Sequence, residues 1–380
     1  MKVAMLTGDN REAFKDYAAT MPYFGTAPEA LLQGMAELPE LEVHVVTCTQ
    51  KPMKSPEKLY DNTFFHSLFV PKIGWMRTSY QGCLRTIRRR LKVIKPDIVH
   101  GQGTERECAI SAVFSKFPNV LTIHGNMRLI AELNQAKPFT FLWLAGQLEK
   151  MALPRTRGVI SITRYTQEAV RELAPKTWLL PNAVDRAFFD IQPAPDETRT
   201  ILCIGAVCYR KNQNEFIRAL DSLAGPAKLK VVFLGQALKE DPYAAEFFDL
   251  LKERPWCEYI GFEGRPAIRE RMRRATMLVL PSLEDNCPMV VLEAMAAGLP
   301  VIAANVGGVP DLVEDGKNGL MIQQKDQASM RGAVQALLDN PDRARELATT
   351  ARQQARERYH PLVIARRHVE IYREVLAKPS

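Results

Sequence analysis

Residues 277–304 read MLVLPSLEDNCPMVVLEAMAAGLPVIAA, and this stretch decides the fold. A short apolar run ends at Pro281, a polar loop follows, good helix formers extend from about Met289 to Gly298, and a second apolar run begins at Pro300. Apolar runs joined by a helix are typical of parallel strands buried on both faces of a sheet. The stretch therefore predicts one strand–helix–strand unit of an α/β domain.

The same alternation extends outward from this stretch over the whole chain. In the first half it predicts strands at residues 2–7, 41–47, 64–70, 97–101, 119–124, 158–163 and 177–181. In the second half it predicts strands at residues 200–205, 230–235, 258–262, 277–281, 300–304 and 319–322, followed by helices at 341–358 and 361–377. We therefore expect an α/β protein with two Rossmann-like, doubly wound parallel-sheet domains.

A Pro-rich, polar segment at residues 190–199 separates the two series of strands and is predicted to be the interdomain linker. The predicted domains are residues 1–189 and 200–358. The last segment, 359–380, is predicted to be a helix that packs back towards the N-terminal domain.

Composition agrees with two folded domains. A length of 380 residues exceeds what one hydrophobic core usually supports, and 46% hydrophobic with 25% charged residues excludes a disordered or collagenous chain. No run approaches the roughly 20 apolar residues that cross a bilayer, and the apolar start is too short for a signal peptide, so we expect a cytoplasmic protein. The seven scattered cysteines include no Cys-x-x-Cys pair, which favours reduced thiols over disulfides or a zinc site.

The loop and helix start after residue 281 form the first candidate site. Loop N–H groups and a helix N-terminus at the carboxyl end of a strand are suited to holding a diphosphate or a sugar hydroxyl. Glu293, about one turn into the helix, could accept two hydrogen bonds from a ribose diol. From the residues alone, Asp285 could equally be a helix N-cap and Glu293 a solvated helix residue.

Residues 281–301 resemble the acidic-x7-acidic signature of the retaining family-4 glycosyltransferases, which have the GT-B fold with two Rossmann-like domains facing across a cleft. The resemblance covers nearly the whole chain. It implies that Glu293 holds the nucleotide ribose and that Asp285 contacts the donor sugar. The adjoining loop and helix start would complete the donor site with Asn286, Cys287, Pro288, Met289 and Val290.

A second match lies at residues 204–212. In the family, a Gly-Arg after the first strand of the second domain and a Lys five residues beyond the Arg hold the diphosphate. Gly205 and Lys211 occupy the corresponding positions, but Ala206 replaces the Arg. We expect Arg210 to replace the missing cation from the other end of the loop; alternatively, Arg210 and Lys211 form an exposed turn.

Residues 307–311 resemble the Gly-Gly-x-Pro-Glu stretch of the family, with Asp311 in place of Glu. In the first half, the resemblance places His124, at the end of a buried strand, against the donor sugar. His100 and Gln102 end a neighbouring strand and are expected to support the site or the acceptor. The glycine pair that the family carries after its first strand has only a loose counterpart here, Gly25.

The resemblance implies a retaining sugar transferase that uses a UDP-sugar or GDP-sugar as donor and a saccharide or polyprenyl-linked acceptor, in the assembly of surface polysaccharide or glycolipid. The sequence contains no Asp-x-Asp, the carboxylate pair that commonly grips a metal and a diphosphate, so no metal cofactor is expected. His124, Asp285 and Lys211 are the predicted catalytic residues.

Two alternatives remain. A nonhydrolysing sugar-nucleotide epimerase would share the two-domain architecture. A non-catalytic protein that binds nucleic acid or an anionic surface is the alternative from another class, although the chain has no known nucleic-acid motif. A Rossmann dehydrogenase is excluded, because residues 5–11 lack the G-x-G-x-x-G pattern.

The net charge of +8 lies mostly in the first half, where residues 1–185 carry 24 Lys and Arg against 17 Asp and Glu. Residues 84–95 contain six cations and no acid, with apolar residues at helical spacing. Together with Lys72, Trp75 and Arg77, this basic helix could contact the anionic inner face of a membrane. It could equally be an ordinary helix that packs on the sheet with a solvated basic face.

Overall fold

The computed structural model describes residues 1–238 and 240–377 and divides the chain into two compact units. The first unit contains Met1–Ala183 together with the chain from His360 onward, and the second contains Val184–Tyr359. Each unit is built around its own sheet.

The first unit has an eight-stranded sheet with the order β3-β4-β2-β1-β5-β6-β7-β8. Its strands are β1 (Lys2–Leu6), β2 (Glu42–Thr49), β3 (Lys58–Tyr60), β4 (Thr63–Phe69), β5 (Ile98–Gln102), β6 (Asn119–Ile123), β7 (Val159–Ser161) and β8 (Thr177–Leu179). The described strands pair in parallel except β3, which is antiparallel to β4. Strands β1, β5 and β6 are almost wholly buried, as is typical of central strands in a parallel sheet covered on both faces.

Helices cover both faces of this sheet. They are α1 (Asn10–Ala13), α2 (Thr26–Ala36), α3 (Gln81–Ile94), α4 (Glu107–Val113), α5 (Met127–Leu133), α6 (Phe141–Ala152) and α7 (Arg164–Val170). Apolar residues of α3, α4 and α6 share one buried cluster with one face of β1, and α2 lies in the cluster on the opposite face.

The second unit has a six-stranded parallel sheet with the order β11-β10-β9-β12-β13-β14. Its strands are β9 (Arg199–Ile204), β10 (Leu229–Leu234), β11 (Cys257–Gly261), β12 (Met277–Leu280), β13 (Val301–Ala304) and β14 (Leu320–Ile322). Its helices are α8 (Gln213–Ala227), α9 (Pro242–Lys252), α10 (Arg265–Arg274), α11 (Met289–Ala297), α12 (Gln327–Asp339) and α13 (Pro341–Tyr359). Helix α11 ends at Gly298, whose φ of +73° is left-handed as the predicted helix stop requires.

The last described helix, α14 (Pro361–Ala377), belongs to the first unit, where it packs on α2. Gly34 of α2 makes this approach possible, because a Cβ at that position would lie 2.0 Å from the carbonyl oxygen of Pro361. Tyr372 is fully buried in the cluster that α2 and α14 share.

The strand order places the candidate site. In the second unit the chain proceeds outward from β9 to β10 and β11, then returns to the other side of β9 to form β12. The loops after β9 and β12 therefore lie side by side at the carboxyl edge of the sheet, at the reversal of strand order where open α/β sheets bind ligands. In the first unit the corresponding reversal lies between β1 and β5.

Two details differ from the sequence-based predictions. Strand β3 was not predicted, because it is a short, partly exposed edge strand without an apolar run. Residues 190–199 lie within the second unit, which already begins at Val184. They are held there because the N–H groups of Ala194 and Asp196 donate to the carbonyls of Arg273 and Arg274, at 2.8 and 3.0 Å.

Within the described residues, no helix has the length and apolar character needed to cross a membrane.

Candidate active site

The loops that follow β9 and β12 contact each other at the carboxyl edge of the second unit's sheet. Leu283 in the second loop donates its N–H to the carbonyl of Arg210 in the first, at 2.8 Å. Gly205 directly follows β9 and lies beside the aliphatic part of Lys211; a Cβ on Gly205 would lie 3.3 Å from Lys211 Cε. The absence of a side chain at Gly205 therefore leaves room for the lysine to cross the loop.

Lys211 and Asp285 form an ion pair between these two loops. Lys211 Nζ lies 2.5 Å from Asp285 Oδ2, and Ser282 Oγ donates to the same oxygen at 3.2 Å. Arg210 is more exposed; its Nη1 donates to the carbonyl of Glu284 at 3.0 Å and lies 3.8 Å from Asp285 Oδ1. The structure thus brings together Arg210, Lys211 and Asp285, three of the predicted site residues.

The backbone of Asp285 is held by the Gly-Gly pair of the third sequence cluster. Gly308 N–H donates to the carbonyl of Asp285 at 3.0 Å, and a Cβ on Gly307, whose φ is +53°, would lie 2.0 Å from that oxygen. Only glycine permits this approach and conformation. The Gly-Gly pair therefore positions Asp285.

Asp285 is not the N-cap of α11, which was one reading of the sequence. The N-cap residue is Pro288, and it has no side chain that can cap. Asn286 and Cys287 lie in the loop between the ion pair and the helix, and Met289 and Val290 begin the helix half-buried. The predicted loop residues thus lead directly from Asp285 into the first turn of α11, whose positive dipole end favours an anion.

Glu293 is only 6% exposed, so the reading of this residue as a solvated helix position is wrong. Its Oε1 accepts a hydrogen bond from Arg265 Nη2 at 3.1 Å. The pKa of Glu293 is raised to about 7, mainly because the carboxyl is buried. The nearby positive charge of Arg265 opposes this rise, and the negative charge of Asp185 adds to it. Glu293 is therefore poised between its charged and neutral forms near neutral pH.

The sequence-based reading missed Arg265. It begins α10 and lies over the ring of Phe188, with its guanidinium carbon 5.3 Å from the ring centroid. Its Nε lies 3.3 Å from Asp185 Oδ2. Because Asp185, Arg265 and Glu293 are far apart in the chain and match no motif as a set, no spacing in the sequence pointed to this cluster.

His124 and Gly25 belong to the first unit. His124 follows β6, is half-buried, and places Nε2 2.9 Å from Gln102 Oε1. Because the amide oxygen of Gln102 can only accept, His124 Nε2 carries the proton. Burial lowers the pKa of His124 to about 4, so the ring is neutral at neutral pH. Gly25 is exposed and is the N-cap residue of α2.

His100 is fully buried beneath His124. Its Nδ1 lies 2.6 Å from the hydroxyl of Tyr372, on α14, and its Nε2 lies 2.7 Å from Thr122 Oγ1. Burial lowers the pKa of His100 well below its ordinary value. Gln102 thus contacts both histidines, and the roles predicted for His100 and Gln102, in support of the site or beside the acceptor, stay predictions.

Helix α3 buries Cys83, Ile87, Leu91 and Ile94 in the core of the first unit. Its basic face is exposed or half-buried. Within the described residues, its cations have no carboxylate within 4.0 Å; they are Arg85, Arg88, Arg89, Arg90 and Lys92. Both sequence-based readings of this helix are thus compatible with its placement.

Trp75 was predicted to contribute to a lipid-facing surface beside α3, and this is wrong. It is 4% exposed, donates its indole N–H to the carbonyl of Val70 at 2.9 Å, and is covered by Arg106. Exposed apolar side chains in α3 and in the turns just before it are instead those of Ile73, Met76 and Val93, which are 69%, 40% and 73% exposed.

No group of three or more His, Cys, Asp or Glu side chains suited to a metal ion occurs in the part of the chain that the structure describes.

Two protein-family models match the chain. The model described as Glycosyltransferase Family 4 matches residues 29–188, and the model described as Glycosyl transferases group 1 matches residues 184–355. The second match contains both contacting loops and Glu293.

Two curated relatives are 27% and 23% identical to the chain in sequence. Alpha-maltose-1-phosphate synthase of Mycolicibacterium smegmatis is 27% identical over 294 residues, which cover 68% of this chain and 74% of the relative. An uncharacterized glycosyltransferase of Methanocaldococcus jannaschii is 23% identical over 340 residues, which cover 87% and 90%.

Solved structures share the fold. Sucrose-phosphate synthase of Thermosynechococcus elongatus superposes with a TM-score of 0.78 at 18% identity, covering 99% of each chain. HepE of Anabaena in complex with UDP-glucose superposes with a TM-score of 0.71 at 16% identity, covering 98% of this chain and 100% of HepE. Both units therefore have the architecture of GT-B glycosyltransferases.

Proposed function

The chain belongs to the group 1 glycosyltransferases and is a glycosyltransferase, and we propose that it transfers a sugar from a nucleoside diphosphate sugar to an acceptor with retention of configuration at the anomeric carbon. The observation that carries this proposal is the convergence of Arg210, Lys211 and Asp285 where the loops after β9 and β12 meet. A cation pair beside a helix start suits a diphosphate, and a carboxylate suits sugar hydroxyls.

The second unit binds the donor in this proposal. Lys211 and Arg210 neutralise the charge that develops on the leaving diphosphate, aided by N–H groups at the start of α11 and without a metal ion. Asp285 and residues 286–290 hold the donor sugar, and Glu293 accepts hydrogen bonds from the ribose. The structure of HepE in complex with UDP-glucose supports a nucleotide-sugar donor.

The first unit binds the acceptor, a saccharide or a polyprenyl-linked glycan. His124, neutral at neutral pH, contributes as a hydrogen-bonding group to the transfer step and does not supply a charge. As the resemblance to retaining enzymes implies, an oxygen of the leaving diphosphate takes the acceptor's proton. The bond from the anomeric carbon to the diphosphate breaks as the bond to the acceptor oxygen forms on the same face.

We also propose that the enzyme works at the inner face of a membrane, in the assembly of surface polysaccharide or glycolipid. Helix α3 supports this, because five of its cations have no carboxylate partner in the described residues. The exposed side chains of Ile73 and Val93 add apolar contact to this basic surface. Anionic lipid headgroups would supply the missing counter-charge.

Ligand binding followed by product analysis tests the proposal. UDP, GDP and ADP are screened by thermal shift, and sugars of the stabilising nucleotide are then supplied with candidate acceptors while the anomeric configuration is followed by NMR. We expect saturable stabilisation by one nucleotide and a product with the donor's configuration. Absence of stabilisation by all three nucleotides, or epimerisation of the nucleotide sugar without an acceptor, would contradict the proposal.

A further inference from the structure

Arg265 connects two buried carboxylates of the second unit. Its Nη2 donates to Glu293 Oε1 at 3.1 Å, and its Nε lies 3.3 Å from Asp185 Oδ2. Glu293 and Asp185 are 6% and 8% exposed. The guanidinium packs over the ring of Phe188, which fixes its plane beside both acids.

The charges that face Glu293 come from two elements. Helix α10 contributes Arg265 and Arg269, and the turn at residues 184–189 contributes Asp185. Arg269 Nη1 lies 4.0 Å from Asp185 Oδ2, so this second arginine is directed to the aspartate. Arg265 is therefore the cation in direct contact with Glu293.

Helix α13 also packs on α11, and among its described residues none adds a competing charge beside Glu293. Its Arg352 lies against Gly298, at the other end of α11, and donates Nη2 to the carbonyls of Phe189 and Ile191, each at 2.7 Å. The charge state of Glu293 thus depends on Arg265, Arg269 and Asp185.

We propose that Arg265 is a positioning residue for nucleotide binding, which keeps Glu293 in the carboxylate form that can accept both hydroxyls of a ribose. This inference rests on the proposed function, in which Glu293 holds the ribose. A carboxylate offers two acceptor oxygens to two hydroxyl donors, whereas a protonated carboxyl uses one oxygen as a donor. Loss of the cation would leave a buried acid beside Asp185, and such an acid takes up a proton more readily.

The test is the pH dependence of nucleotide affinity in the full-length protein, measured by isothermal titration calorimetry with UDP, GDP and ADP. For wild type we expect affinity to weaken as pH falls through about 7, where Glu293 gains a proton. Arg265→Met is expected to move this midpoint upward by about one unit, which corresponds to about a tenfold loss of affinity below the midpoint. The ligand's own titration is common to all variants and cancels in the comparison.

Three further variants make the result specific. Arg265→Lys retains the charge and is expected to restore most of the wild-type midpoint, even if Arg265→Met is poorly folded. Glu293→Gln cannot titrate, and adding Arg265→Met to it should change the pH profile no further. Arg273→Met, on the same helix but paired with Glu270, is the matched control and should keep the wild-type midpoint.

Different results overturn the role of Arg265 and the proposed function. If wild type binds none of the three nucleotides at any pH, the proposed function fails. If wild type binds a nucleotide but Arg265→Met keeps the wild-type midpoint, or Arg265→Lys shifts it as far as Arg265→Met does, the role of Arg265 is overturned while the proposed function stands.

Discussion

Lys211 and Asp285 form an ion pair in which Lys211 Nζ lies 2.5 Å from Asp285 Oδ2. Both side chains are largely buried, and Ser282 donates a further hydrogen bond to the same oxygen. The lysine proposed to meet a diphosphate is thus held in place by the carboxylate proposed to meet the sugar. A bound donor would share or replace this pairing, so each residue affects both ligand binding and stability.

Lys211→Ala is expected to weaken binding of a nucleoside diphosphate more than binding of the nucleoside, because only the former carries the charge that Lys211 is proposed to neutralise. It should also destabilise the second unit by about 1–3 kcal/mol, since the buried Asp285 loses its direct ion pair and keeps only Arg210, at 3.8 Å. Calorimetric titration and thermal unfolding measure the two effects.

The double variant Lys211→Ala, Asp285→Asn is the control for the first prediction. It should recover much of the lost stability, because no unpaired charge remains, but not the diphosphate affinity. Equal losses of nucleoside and diphosphate affinity in Lys211→Ala would contradict the diphosphate contact.

Glu293 should make the stability of the second unit depend on pH. Its pKa is raised from 4.5 to about 7 in the folded protein, so between these values the folded state holds more proton than the unfolded state. Its contribution therefore favours folding at low pH and declines as pH rises from 4.5 to 7, by up to about 3 kcal/mol.

Glu293→Gln removes this titration. Urea unfolding of wild type and Glu293→Gln across the same pH range should give a difference in free energy that falls as pH rises. A difference that is constant with pH would show that Glu293 titrates normally. Separately, Glu293→Ala should weaken nucleotide binding by about 1–3 kcal/mol through loss of buried hydrogen bonds.

His124 should act without titrating near neutral pH. Because burial lowers its pKa to about 4, we expect His124→Ala to lower kcat by a factor that stays constant between about pH 5.5 and 8. Nucleotide affinity, measured by calorimetry, should change little. A factor that varies with pH around the ordinary histidine pKa of about 6.5 would mean that His124 acts in its charged form.

Neutralising the basic face of α3 should weaken binding to anionic membranes. We expect the triple variant with Arg88, Arg89 and Arg90 changed to Gln to sediment less with phosphatidylserine-containing vesicles. The loss in binding free energy at low salt is expected to be about 3 kcal/mol. The matched control removes three ion-paired arginines of the second unit, Arg273, Arg343 and Arg345. If both triple variants lose equal binding, net charge rather than α3 is responsible.

Gly34→Ala should disrupt the packing of α14 on α2. The added Cβ would lie 2.0 Å from the backbone carbonyl of Pro361, which cannot move without displacing α14, so we expect a loss of about 3 kcal/mol in thermal unfolding. Gly332→Ala, in α12, is the control, because a Cβ there meets nothing within 4 Å and should stabilise that helix slightly. Equal Tm values for wild type and Gly34→Ala would show that α14 does not pack closely on α2.

Much of the fold followed from local patterns. The strands other than β3 and both C-terminal helices were predicted, because short apolar runs alternate with helical stretches along the chain. The site was predicted in part: Lys211, Arg210 and Asp285 do converge, since the loops after β9 and β12 meet where the strand order reverses. Which charge pairs with which could not be predicted, because that depends on side-chain geometry across 74 residues of chain.

The burial of Trp75 is a second feature that the sequence did not predict. Lys72 and Arg77 beside it suggested a lipid-facing mixture, but two short turns direct the indole into the core, where Val70 accepts its N–H. Sequence neighbours of a residue reveal its local chemistry and not the direction of its side chain.

The amino-acid sequence alone determined the two α/β sheets, the family to which the chain belongs and the loops that carry its motifs, because these depend on periodicity and on short motifs. Only the tertiary structure decided that the chain leaves the first unit at Ala183, so that residues 190–199 belong to the second unit. It alone also decided that Arg265 holds Glu293 beside Asp185. Such features depend on burial and on charges brought together from distant parts of the chain, so local sequence patterns do not predict them.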